Sequence, residues 1–216
     1  MDNNIVLGGR VILDSYILNY QKEILIVVLF IFIMIYLYSK IKYINKIEHI
    51  NKELILISSI DYLTKINNRK SIDYFLNENI KFFERYKENF SIIMIDIDRF
   101  KNVNDIFGHL IGDNILIEFS ELIKKSIREI DILGRFGGEE FIIICRKTQI
   151  DGALKLSEEL RKKVAKHNFL VVGNITASFG VANFSSKDNI YTLLKKADTA
   201  LYLAKTNGRN KVELIR

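Results

Sequence analysis

The sequence predicts an α/β protein in which one mixed β-sheet is covered by helices and preceded by a single transmembrane helix. Three features carry that expectation. Helical stripes alternate with short apolar strands from about residue 60 onward, a Gly-Gly hairpin stands in the middle of that alternation, and an unbroken apolar run precedes it. The expected division is a short extracytoplasmic segment over 1–22, a transmembrane helix over 23–39, a connecting helix over 40–59 and a folded domain over 60–216.

The apolar run is Ile24 to Tyr38. Fifteen residues make a helix of about 22 Å, short of a hydrocarbon core of about 30 Å. Tyr20, Lys22, Ser39 and Lys40 close the gap by snorkelling toward the headgroups. A buried core helix is the plainer alternative, but this run is apolar on every face. No small-residue cleavage site follows it, which argues against a removed signal peptide. Arg10 and Lys22 precede the run, whereas Lys40, Lys42, Lys46 and Lys52 follow it. The positive-inside rule then puts the C-terminal side in the cytoplasm. The segment 1–22 is too short for an extracytoplasmic sensor domain.

Beyond it, Tyr43, Ile47, Ile50, Leu54 and Ile57 repeat at spacings of four and three. Such a seam serves either a parallel two-stranded coiled coil or an amphipathic helix lying on the next domain, and continuity with the membrane run favours the coil.

In the folded domain, Ile72, Phe75, Leu76, Ile80 and Phe83 mark a helix over Asn68 to Glu88. Ser91 to Ile97 reads as a buried strand. Phe100 to Phe107 reads as a short helix and Asp113 to Arg128 as a longer one. Ile130 to Phe136 and Glu139 to Cys145 flank Gly137-Gly138, which is expected to supply the positive φ of a tight hairpin turn. A helix over Asp151 to His167, a strand over Asn174 to Ala182, a helix over Ile190 to Thr206 ended by Asn207-Gly208, and a strand over Lys211 to Ile215 complete the order.

Composition adds bounds. The chain has 216 residues, is 49% hydrophobic and carries a formal charge of +6, which fits a polyanionic partner without choosing among nucleotide, nucleic acid and membrane surface. Cys145 is the only cysteine, so no intrachain disulfide exists, and its place after Phe141-Ile142-Ile143-Ile144 reads as a buried, inert thiol. Proline is absent, so every break falls to Gly, Asn, Asp or Ser.

Three constellations can carry chemistry, each beside a plainer reading. Asp96 and Asp98, at i and i+2, point the same way off a strand end, where Mg²⁺ ligands often stand and where solvated acids are commoner still. Gly137-Gly138-Glu139-Glu140 sets two acids on a turn open to a phosphate, or is only a turn. Lys205 and Arg209, four apart, can share a helix face and bind a polyphosphate, or can simply complement a helix C-terminus.

Five blocks in order give these features a common meaning. They are DYLTKINNR from Asp61 to Arg69, DIDRFKNVNDIFGHLIGD from Asp96 to Asp113, RFGGEEF from Arg135 to Phe141, SFGVA from Ser178 to Ala182, and ADTALYLAKTNGRN from Ala197 to Asn210. Together they resemble the GGDEF family of diguanylate cyclases, in its GGEEF form, over about Asp61 to Val212. Lys65 departs from the pattern, standing where the family usually has glycine.

The resemblance implies a GGDEF cyclase domain over 60–216 that joins two GTP into cyclic di-GMP and releases two pyrophosphates. It implies two Mg²⁺ per active site, a role that Mn²⁺ can also fill, held by the Asp96 carboxylate, the Ile97 carbonyl and Glu139. Glu139 would also assist deprotonation of the attacking 3′-hydroxyl, with Glu140 in support. Asn104 and Asp113 would read guanine, since a carboxylate accepts from its ring N–H and amine together and adenine offers no such pair. A plainer role for Asp113 is a helix N-cap. Backbone N–H groups near Arg99 and Phe100 would meet the terminal phosphates, Lys205 and Arg209 would clamp them, and Lys101 would add positive field.

Each domain would hold one GTP, so the enzyme is expected to act as a homodimer, with the coil raising the local concentration of domains. Arg128 and Asp131 match the family's RxxD inhibitory motif, which implies product binding, though such pairs are also common surface salt bridges. The family often adds an arginine from the next helix. Arg161 is the closest candidate, and Glu159 takes the usual place. The expected location is the bacterial inner membrane, single-pass, with the domain in the cytoplasm and no nucleic-acid partner. The alternative is a domain without catalysis that serves as a cyclic di-GMP receptor. An adenylyl cyclase or polymerase of the same palm type fits the guanine-reading pair and the closing block less well.

Overall fold

The computed structural model describes residues 3–57 and 59–215, with side chains over 20–48 and 59–215. The chain divides into two units, Met1–Leu54 and Ile55–Arg216.

The first unit is helical. Helix α1 runs without a break over Asn3–Ile57, so the boundaries expected near 22 and 39 leave no mark on the backbone. Its stretch Tyr20–Glu48 is long and apolar enough to cross a membrane, and none of it is buried. Of the seam residues, Tyr43 and Ile47 are exposed, and the side chains of Ile50, Leu54 and Ile57 lie outside the described residues.

The second unit runs α2 (Arg69–Tyr86), β1 (Ser91–Ile97), α3 (Phe100–Phe107), α4 (His109–Lys124), β2 (Ile132–Gly137), β3 (Glu140–Cys145), α5 (Ile150–Lys166), β4 (Asn168–Phe169), β5 (Gly173–Asn174), β6 (Ala177–Asn183), α6 (Ile190–Thr206) and β7 (Val212–Ile215). The main sheet has the order β2-β3-β1-β6-β7. Its pairs are antiparallel except β6 with β7, so the sheet is mixed as expected.

Strand β1 lies at the centre with all seven residues buried. Its alternation divides the core. Ile93, Ile95 and Ile97 face the cluster that includes Phe100, Ile115, Phe119 and Leu160, whereas Ile92 and Met94 face Ile72, Leu76, Leu193 and Leu201. Two steps past Met94, Asp96 therefore falls on the face covered by α2 and α6. Helix α6 approaches β6 closely at Gly180, where a Cβ would run into the backbone of Ala197 and Leu201. Cys145 is buried, and burial pushes its thiol pKa up, so it is inert as expected.

Some local expectations are corrected. Helix α4 begins at His109, with Gly108 as its N-cap, so Asp113 sits in its second turn and is no cap. Gly112 continues the helix. Neither Gly137 nor Gly138 has a positive φ; Gly137 ends β2, and Gly138-Glu139 form the turn. The strand expected from Asn174 starts at Ala177, and the residues before it form the small β4–β5 hairpin.

Candidate active site

The end of β1, the β2–β3 turn and the last turn of α6 converge. Asp96 pairs across the sheet with Glu140, and Ile97 N–H approaches the Glu139 carbonyl at 3.4 Å. The side chain of Asp96 is 9% exposed, and its Oδ2 lies 2.7 Å from Lys205 Nζ. Burial is the largest influence on this carboxyl and raises its pKa; Lys205 opposes it, Glu139 and Glu140 add to it, and the result is about 6. Three acids and one ammonium thus share a neighbourhood of hard oxygen donors, the chemistry a Mg²⁺ or Mn²⁺ ion requires. Among the described residues, no three acids or histidines lie close enough together to hold an ion as they stand. The residues supply the donor type that a hard cation takes, and Lys205 is the cation at Asp96.

Asp98 does not join Asp96. It lies past the strand, and its carboxylate accepts from Thr176 Oγ1 at 2.7 Å, Ser178 Oγ at 2.7 Å and Asn210 N–H at 2.9 Å. It pins the closing loop to the sheet. In that loop Gly208, Arg209 and Asn210 all have positive φ. Arg209 lies beyond the helix, so it and Lys205 do not share a helix face. Arg209 instead lines a cleft of about 350 Å³ with Arg99, Asn102 and Ile106.

Arg99 is left-handed at the start of α3, which has no side-chain cap. Phe100 is buried and Lys101 exposed. Asn104 packs on the second turn of α4, since a Cβ on Gly112 would overlap its Oδ1. Asp113 follows Gly112 in the chain, and Asn104 and Asp113 are both half-buried.

Arg128 and Asp131 stand at the other end of β2, the length of that strand away from the turn. They form a two-point pair, Nε to Oδ2 at 3.0 Å and Nη2 to Oδ1 at 2.9 Å. The Asp131 side chain is fully buried and also accepts from Arg146 N–H. Here its oxygens are taken up by Arg128, whose side chain is 55% exposed, and by the Arg146 N–H. Arg161 does not join them, because its guanidinium donates to Glu158 and to both oxygens of Asn210.

One residue of the motif blocks received no role from the sequence. Arg135 donates from Nε to the Gly138 carbonyl at 2.9 Å and from Nη1 to Asp61 Oδ1 at 3.2 Å. It links the entry turn to the signature turn. Both partners belong to motif blocks, which was the available signal. In the same turn Lys65 takes φ 58°, the conformation that glycine adopts freely.

Residues 58–211 match the family model described as "Diguanylate cyclase, GGDEF domain". The chain belongs to the GGDEF family. Among curated GGDEF relatives, Diguanylate cyclase A of Treponema denticola is 36% identical over 76% of this chain and 46% of its own length. Diguanylate cyclase DgcM of Escherichia coli is 36% identical over 70% of this chain and 37% of its own. The chain thus spans less than half the length of these relatives. Among solved GGDEF structures, the active GGEEF domain of a Vibrio cholerae diguanylate cyclase matches with TM-score 0.66 and 36% identity, covering 69% of this chain and 97% of that one. The coiled coil and GGDEF domain of Caulobacter crescentus DgcB, in complex with c-di-GMP, matches with TM-score 0.70 and 25% identity, covering 82% and 96%.

Proposed function

We propose that this protein is a diguanylate cyclase that condenses two GTP into cyclic di-GMP, one GTP from each domain of a homodimer. The observation that carries the reading is the gathering of Asp96, Glu139, Glu140 and Lys205 at one end of the sheet. Bound Mg²⁺ or Mn²⁺ would supply Lewis-acid charge at the α-phosphate. Asp96, the Ile97 carbonyl and Glu139 would hold it. Glu139 would take the proton of the 3′-hydroxyl, with Glu140 beside it. The uncapped start of α3 at Arg99, Phe100 and Lys101 suits terminal phosphates, whose charge Arg209 and Lys205 would balance. Asn104 and Asp113 would read guanine. Arg128, held rigid by Asp131, would bind product and restrain the enzyme, without an arginine from α5.

The apolar helix would anchor the protein in the inner membrane by a single span over 23–39, with 40–59 joining two copies and the domain in the cytoplasm. The test is incubation with GTP and Mg²⁺ followed by mass spectrometry. Cyclic di-GMP from the parent and at least a 100-fold loss in Glu139→Ala are expected. A folded, dimeric parent that makes none would point to a receptor instead.

A further inference from the structure

The carboxylate assigned to the first metal already has a cation. Lys205 Nζ lies 2.7 Å from Asp96 Oδ2, and the Asp96 side chain is only 9% exposed. This contact is built in. Lys205 stands in the last turn of α6, and α6 is seated on β6 where Gly180 leaves no room for a Cβ. The carboxylate is fixed on the central strand opposite Glu140. A cation is needed there, because Glu139 and Glu140 bring two further negative charges to the buried acid.

A divalent ion bound to the same oxygen at about 2.1 Å would stand within about 5 Å of the ammonium. Two cations that close repel, so the ion and the ammonium compete for the Asp96 oxygen. Asp98, the next acid along the chain, is no substitute for Asp96, since it is committed to Thr176, Ser178 and Asn210. Lys205 has a flexible stem with a side chain 31% exposed, and a nucleotide triphosphate is a second destination for it.

We propose that Lys205 is the resident cation of the metal-free site, holding Asp96 until a nucleotide triphosphate draws the ammonium away and a divalent ion replaces it. This rests on the metal assignment made above. Metal alone binds weakly, and metal and nucleotide favour each other's binding by the same factor. The domain is thereby kept from loading metal without substrate.

The experiment is a Mn²⁺ titration of the full chain followed by electron paramagnetic resonance, with and without 3′-deoxy-GTP, which cannot cyclise. Asp96→Asn measures the background. Without nucleotide, Lys205→Met is expected to bind Mn²⁺ about tenfold tighter than the parent, the effect of losing a competitor worth about 1.4 kcal/mol. The nucleotide is expected to tighten Mn²⁺ about tenfold in the parent and much less in Lys205→Met. Lys205→Arg keeps the charge and should bind Mn²⁺ no tighter than the parent. Equal affinity in parent and Lys205→Met, with the Asp96-dependent site intact, would overturn the exchange and leave the metal assignment standing. Tighter binding by Lys205→Arg would overturn it as well, even if Lys205→Met did not fold. Absence of any Asp96-dependent Mn²⁺ would remove the metal assignment and the exchange together.

Discussion

Arg135→Ala removes one hydrogen bond to the Gly138 carbonyl and one ion pair with Asp61, in which each side chain is 15% exposed. Charge-assisted bonds contribute about 1.5–3 kcal/mol each. Asp61 keeps two bonds from Thr64, so the loss falls below a full sum, at about 2–3 kcal/mol. For a domain of this size that lowers Tm by about 5–10 °C. Calorimetry of the parent, Arg135→Ala, Asp61→Asn and the double variant closes a cycle, with a coupling of about 1–2 kcal/mol expected. The same pair gives a pH signature. Burial raises the Asp61 pKa, but Thr64 and Arg135 outweigh it and hold the carboxyl below the usual 3.8. A depressed carboxyl contributes stability above its unfolded pKa and loses it as pH falls through the folded one. The parent should therefore shed this contribution below about pH 4, and Asp61→Asn should show no such step. Cyclase turnover should fall about tenfold in Arg135→Ala at 25 °C, because the carbonyl beside Glu139 loses its tether. Additive effects in the cycle, combined with unchanged turnover, would refute the link between entry turn and signature turn.

Three other substitutions test separate parts of the structure. Gly112→Ala should expel the Asn104 carboxamide, whose Oδ1 the new methyl would overlap; KM for GTP should rise about tenfold in steady-state assays, with Tm little changed. Gly180→Ala drives a methyl into the α6 backbone, 2.8 Å from Leu201 Cα, where no side chain can yield. Denaturant unfolding should show a loss of about 3 kcal/mol. Lys65→Gly relieves a left-handed residue at φ 58° and should stabilise the domain by about 1 kcal/mol in the same assay.

What was legible in the sequence was local. The helix over Ile190–Thr206 was read to its ends, with Asn207-Gly208 marking the last, and the structure adds Asn189 as the cap at its start. Strand β1 was equally plain as an apolar run. What failed were features set by partners far along the chain. Asp98 looked like a twin of Asp96 at spacing two, but its partners lie 78 to 112 positions away. Arg161 looked available for product binding, yet it is taken up by Asn210, 49 positions on. Gly112 lay outside the helix expected from Asp113; it stands inside α4, where a larger residue would displace Asn104. The glycines of the signature turn were expected for their φ, yet their φ values are ordinary. What they offer is bareness, since a Cβ on Gly138 would meet nothing within 4 Å.

The bond from Asn210 to Asp98 spans 112 positions, and this sets a timetable. During synthesis the long apolar helix emerges before the sheet, and Lys205 and Asn210 emerge after every acid of the cluster. At about 5–20 residues per second, the interval from Glu48 to Lys205 is about 8–30 seconds. Over that time the nascent chain has its apolar helix but lacks the lysine that completes the acid cluster and the loop that Asp98 secures. Chains cut short before residue 205 would carry every acid of the cluster without the ammonium that faces Asp96. The acid cluster thus exists in the nascent chain before the ammonium and the loop that settle it, and the apolar helix has emerged well before either.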